Sequence, residues 1–209
     1  MKYDADQDGL PFLPEDGRRH GLALGGVRKI FVLLVISFFV SACAINSVED
    51  YPVRSPKIFL TDIKTVADSG DLENVEFVAN RLRIDYRVDP RQPVSDSKGV
   101  IEGYGVDVKR MASSKEYRKT RGFDYGIFWP MGRGFYRAGL SLPIDSKEIC
   151  ITPSDLFEIF DNVEKYPVSH GTWWAYIYEK KDVNTRAVFS IDRGGCISGV
   201  YISMNRGRK

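Results

Sequence analysis

The chain is poor in the residues that most catalysis and metal binding require. It holds only two histidines, His20 and His170, and three cysteines, Cys43, Cys150 and Cys196. Beyond Cys43 there is one histidine and no close cysteine cluster, which gives little support to a metal site. There is no Gly-x-Ser-x-Gly nucleophile turn and no phosphate-binding loop. Gly132-x-Gly134 is not a dinucleotide fingerprint, because strand-forming residues follow it and no helix N-terminus is offered to a phosphate. His170, in the segment Val-Ser-His-Gly, reads as a turn histidine with no catalytic part. The formal net charge is only +2, so no global field favours nucleic acid. Finally, no apolar run exceeds the eleven residues 30–40. A membrane-spanning helix needs about 20.

That short run is the most informative stretch present. Arg28 and Lys29 precede residues 30–40, which are interrupted only by Ser37, and Ser41 and Ala42 then lead into Cys43. A basic segment, a short apolar segment and small residues form the layout of a secretory signal. The ending Val40-Ser41-Ala42-Cys43 resembles the lipobox of bacterial lipoproteins. The resemblance implies cleavage before Cys43, acylation of its sulfur with palmitate-type chains and retention at a bilayer. Ala44, rather than aspartate, follows the cysteine. In such families this implies sorting to the outer membrane, with the protein facing the periplasm. The 29 residues before the apolar run are longer than a usual leader, which a start codon placed upstream of the true one would explain.

The expected organisation is therefore a signal peptide at 1–42, a lipidated tether at 43–57 carrying Pro52 and Pro56, and a periplasmic domain at 58–209. In an oxidising compartment the pair Cys150 and Cys196 reads as a disulfide. Apolar spacings of three and four predict a helix over 58–67 capped by Thr61, and a second begun by Asp71 with Leu72, Val75, Val78, Ala79 and Leu82 on its buried stripe. Pro90, Pro93 and residues 96–99 read as loop, and 100–108 as a strand. Residues 109–121 carry six basic side chains and one acid, and read as a solvated loop or short helix, with an anion-facing patch as the functional alternative. Segments 123–129 and 135–142 form the strands of a hairpin around a glycine-rich turn. Thr152-Pro153-Ser154-Asp155 begins a helix with Leu156, Ile159, Phe160 and Val163 inward. Asp155, Glu158, Asp161 and Glu164 share a helical spacing that reads as an exposed face. Strands follow at 172–179, 186–192 and 196–204.

Helices followed by strand meanders predict an α+β fold, with helices packed on one face of an antiparallel sheet. Asp71-Leu72 with Val75 and Val78 parallels Asp155-Leu156 with Ile159 and Val163. This suggests two tandem helix-then-meander modules at 58–147 and 148–209. By element order alone the chain resembles small periplasmic lipoproteins of the SmpA/OmlA type and, duplicated, the β-lactamase-inhibitor-protein architecture. No functional residues carry across from either.

Aromatic residues make up 12% of the chain, and Trp, Tyr and Arg are the types enriched at binding hot spots. Arg118, Lys119, Trp129, Arg133 and Tyr136 are the candidate binding surface. The expected role is recognition without enzymatic activity or cofactor. The first candidate is a lipid-anchored periplasmic protein-binding module, as an inhibitor or immunity-type lipoprotein neutralising a secreted toxin or enzyme. The alternative is an envelope assembly or structural accessory. The expected partners are a membrane, reached through the lipid, and a protein, with no nucleic acid.

Overall fold

The computed structural model describes residues 47–119, 122–168 and 173–207, with the side chain of Trp173 left aside. Chain contacts divide the protein into Met1–Ala44 and Ile45–Lys209. The expected signal peptide, Cys43 and His170 lie outside the described residues. The second unit contains the buried core and the disulfide.

Among the described residues the fold is α+β, with three α-helices and nine strands in one antiparallel sheet. The first helix, α1 (Pro56–Ser69), begins two residues earlier than the periodicity predicts. Ser55, not Thr61, is its cap: the Ser55 side chain accepts from the Ile58 N–H, and Pro56 occupies the first turn. Thr61 is inside the helix and donates to the Lys57 carbonyl at 2.7 Å. Gly70 ends the helix in a left-handed conformation, φ 61°. A Cβ there would come within 2.6 Å of Val183, so a side chain is excluded by space as well as by backbone. The second helix, α2 (Val75–Leu82), is capped by Asn74, whose side chain accepts from the Phe77 N–H at 3.0 Å. Asp71, the expected cap, instead accepts from the Asn74 N–H in the preceding loop. In α3 (Pro153–Ile159) the cap is the expected one. Thr152 and Asp155 form a reciprocal capping box, with the Thr152 N–H donating to Asp155 at 2.7 Å.

The strands are β1 (Ile84–Val88), β2 (Gln92–Ser95), β3 (Ile101–Ser113), β4 (Asp124–Pro130), β5 (Arg137–Pro143), β6 (Glu164–Val168), β7 (Trp173–Lys180), β8 (Thr185–Ile191) and β9 (Ile197–Met204). Their order is β1-β3-β4-β5-β9-β8-β7-β6, and β2 also pairs with β3. Two meanders therefore meet where β5 pairs antiparallel with β9. Three expectations are corrected here. Pro93 is not in a loop but in β2; β1 and β2 lie in line along one edge of the long β3, on either side of Pro90, which does lie between strands. Residues 109–113 are strand, not solvated loop or helix, because they complete the pairing with β1. The helix after Thr152 stops at Ile159, so Glu164 sits in β6 and shares no helical face with Asp155.

Alternation along the strands gives the sheet one core face. Val106, Val108, Tyr125, Ile127, Ala138, Leu140, Leu142, Tyr176, Tyr178, Ala187, Phe189, Val200 and Ile202 are all buried in one cluster. They share it with Phe59, Leu60, Ile63 and Val66 of α1, Val78 and Leu82 of α2, and Leu156 of α3. The disulfide Cys150–Cys196, with Cα atoms 5.2 Å apart, ties the segment before α3 to the start of β9. The Ile197 N–H donates to the Ile151 carbonyl alongside it.

One buried charge pair organises the N-terminal end. Arg54, in the stretch expected as tether, is 5% exposed, and Glu116 is fully buried. The backbone N–H and the Nε of Arg54 both donate to Glu116 Oε1, at 2.9 and 3.0 Å. The rest of the guanidinium reaches Asp62 at 2.9 Å and the carbonyls of Arg81 and Leu82. Tyr117 OH also donates to the Leu82 carbonyl, at 2.8 Å. Burial pushes the Glu116 carboxyl up, but the nearby Ser114 hydroxyl, the Arg54 N–H and the Arg54 charge outweigh it, leaving the group below its ordinary value of 4.5.

Breaking such a pair from one side leaves a desolvated charge, at a cost of about 3–5 kcal/mol. Glu116→Gln is expected to lower the urea midpoint accordingly at neutral pH. Because the folded carboxyl titrates below the unfolded one, its contribution is present above the ordinary carboxylate range. It is lost as pH falls through the folded value. The wild type should therefore show a steeper acid loss of stability than Glu116→Gln, measured by urea melts from pH 7 downward. Replacing Cys150 and Cys196 together by serine reopens a 46-residue separation. It should cost about 4 kcal/mol by the same melts.

Candidate functional site

The five candidate surface residues fall into three different settings. Arg118 is a structural residue: its Nε donates to the Ile144 carbonyl at 2.8 Å, and its N–H donates to the Pro143 carbonyl. Lys119 beside it is exposed, and its carbonyl accepts from Arg110 at 3.1 Å. Trp129 lies near the far end of β4, opposite Tyr104 of β3, with the Arg91 guanidinium stacked 3.9 Å from its ring. Arg133 is exposed in the β4–β5 turn. Tyr136 points inward. Its hydroxyl accepts from the Glu73 N–H at 3.3 Å and faces the Gly70 carbonyl at 3.5 Å, locking the α1–α2 loop onto the sheet. The structure therefore groups Trp129 and Arg133 at one end, and Arg118 and Lys119 at the other. Seven residues of β4 separate the ends by roughly 20 Å.

The end that carries Trp129 exposes more apolar surface than sequence reasoning assigned to it. The Met131 N–H donates to the Glu102 carbonyl, which joins the β2–β3 and β4–β5 turns. Val100 (61% exposed), Met131 (55%), Ile101, Tyr104 and Val94 crowd there. Arg91 escapes a sequence reading because its stacking partner lies 38 positions away, and no local pattern announces such a pair.

On the sheet face opposite the core, register aligns Asp107, Gly126, Gly139, Ser203, Arg186 and Glu179 in one cross-strand row. Gly126 has open space where a side chain would stand. At Gly139 a Cβ would meet the Tyr201 hydroxyl at 2.7 Å, so only glycine lets that ring lie across the row. Gly126, Gly139, Phe128, Arg137, Tyr201 and Arg206 line a groove of about 360 Å³. Arg206 stands 5.7 Å from the Tyr201 ring. Aromatic faces and guanidinium groups around a glycine floor suit a protruding peptide loop, and the lining has no nucleophile-base pair.

Among the described residues, no cluster of three histidine, cysteine or acidic side chains could hold a metal ion. No described helix is long and apolar enough to cross a membrane. Asp155, one of the acids with helical spacing, is used by the α3 cap. No family model, curated protein or solved structure matches the chain.

Tyr136 and Arg133 give opposite expectations. Tyr136→Phe should lose about 1 kcal/mol by removing a half-buried hydroxyl that bonds the α1–α2 loop. Arg133→Ala should change stability by less than about 0.5 kcal/mol. Urea denaturation of both variants measures the contrast.

Proposed function

We propose that the protein is a lipid-anchored periplasmic protein-binding module, of the inhibitor or immunity type, that neutralises a secreted enzyme or toxin. The reading combines the Val40-Ser41-Ala42-Cys43 lipobox resemblance with a folded domain whose lining residues serve recognition. The observation that carries it is the groove floored by Gly126 and Gly139 and walled by Phe128, Tyr201, Arg137 and Arg206. It is open, it lies on the paired strands β4, β5 and β9, and it is rich in the side chains that dominate protein–protein affinity. The Cys150–Cys196 bond agrees with an oxidising compartment.

The two meanders meeting at β5 and β9 support a further proposal, that the domain is a tandem duplication. In it, α1, α2 and β1–β5 form one helix-then-meander module, and α3 and β6–β9 form the second. This agrees with the division at residues 147 and 148. The inhibitor-protein resemblance belongs to this duplicated form. SmpA/OmlA-type proteins would correspond to a single module and to envelope assembly.

Two measurements test the function. Palmitate labelling should mark the full chain and leave Cys43→Ser unmarked; an unlabelled wild type overturns the anchor. The domain should co-purify one secreted enzyme at stoichiometric yield and suppress its activity, with both effects reduced at least tenfold in Phe128→Ala/Tyr201→Ala. Broad envelope defects on deletion, with no inhibited enzyme, would instead favour the accessory role.

A further inference from the structure

We infer that the turn at residues 114–119, together with the turn at 145–148, is a docking surface for an anionic phospholipid bilayer. The two turns are packed together. The Asp145 N–H donates to the Glu116 carbonyl at 2.8 Å, Tyr117 bridges to Ile144, and Arg118 is bonded to the Pro143 and Ile144 carbonyls. Burying Glu116 and Tyr117 inward turns Lys115 and Lys119 out to solvent, and Lys147 stands exposed on the neighbouring turn. These lysines and Arg118 line a shallow hollow of about 570 Å³ with Asp145 and Glu148. Asp145 is already engaged by the Lys147 N–H.

Several other cations pair with acids: Lys64 with Asp68, Lys109 with Asp89, Lys180 with Asp182 and Arg186 with Glu179. Among the described residues, Lys115, Lys119 and Lys147 have no carboxylate within 4 Å. With Arg118 these lysines give the hollow four cations against the two acids Asp145 and Glu148, a local positive excess that attracts a phosphate-bearing surface.

The position of the chain names that surface. Arg54 is bonded through both main chain and side chain to Glu116, the residue next to Lys115. Upstream, Arg83 holds the Pro52 carbonyl at 2.9 Å, and residues Val48–Asp50 form a short helical turn. The four steps from Cys43 to Ser47 span at most about 14 Å when fully extended. A lipid on Cys43 would thus bring this end of the domain against the bilayer with its lysines toward the head groups. The opposite end of the 13-residue β3 would point outward.

The biological setting rests on the lipid-anchor reading, but the surface is testable without any acyl chain. The domain at residues 45–209, which holds the buried core and the disulfide, would be sedimented with vesicles of phosphatidylcholine alone and with 30% phosphatidylglycerol. Binding to the anionic vesicles alone is expected, weakening steeply between low and physiological salt. Each of Lys115→Gln, Lys119→Gln and Lys147→Gln should lower that binding about fivefold. The control Lys98→Gln/Arg133→Gln, at the far end, should leave it unchanged. Thermal melts of these exposed-site variants check that they fold as the wild type does. Equal binding to neutral vesicles, no binding at low salt, or equal loss in the control overturns the inference. Vesicle binding with an unlabelled Cys43 would retain this surface and remove the anchor, whereas labelling without vesicle binding would do the reverse.

Discussion

The contact between Arg54 and Glu116 is the constraint on which the N-terminal half of the domain depends. A fully buried carboxylate is costly unless donors surround it, and here one arginine supplies both its N–H and its Nε. The same guanidinium then reaches Asp62 on α1 and the carbonyls that end α2. One side chain thus joins the incoming chain, both helices and the turn after β3. Replacing the pair with apolar groups could match its stability. What the charges add is directionality, since a planar fork of donors accepts only one arrangement of these four segments.

That constraint also sorts the basic stretch at 109–119 into working parts. Its single acid is the buried partner of Arg54. Arg110 lies over the Phe123 ring at 4.1 Å and donates to the Arg118 and Lys119 carbonyls, and Lys109 pairs with Asp89. Lys115 and Lys119 are left to solvent. A run that looks uniform as composition is therefore structural at some positions and available at the rest. The same division applies to the aromatics. Tyr136 and Tyr117 bond inward to main-chain groups, while Tyr104 and Trp129 stand at the apolar far end.

The two ends of the sheet differ in chemistry, and this polarity is what a tethered recognition module would use. Lys115, Arg118, Lys119 and Lys147 outnumber the acids of the hollow beside the turn after β3, and exposed aliphatic and aromatic side chains gather at the β2–β3 and β4–β5 turns. The glycine-floored groove lies on the face that the core does not use. In the proposed arrangement, head groups meet the first end while the groove and the far turns face a protein partner.

Local chemistry was enough to determine several elements from the sequence alone. Thr152-Pro153-Ser154-Asp155 started α3, the glycine-rich turn at 132–134 separated β4 from β5, and the cysteine pair formed a bond. Each depends on residues close in sequence or on a single pairing choice. The tertiary structure alone decided the rest. It extended β3 through the basic stretch, because β1 supplied a partner that no periodicity reveals. It recruited Arg54 into the core, because Glu116, 62 positions away, needed a donor. It chose Ser55 and Asn74 over Thr61 and Asp71 as caps, because helix starts follow from which residues can bury their stripe. The groove likewise exists only through register, which sets Gly126 and Gly139 of the β4–β5 hairpin beside Tyr201 of the sequence-distant β9.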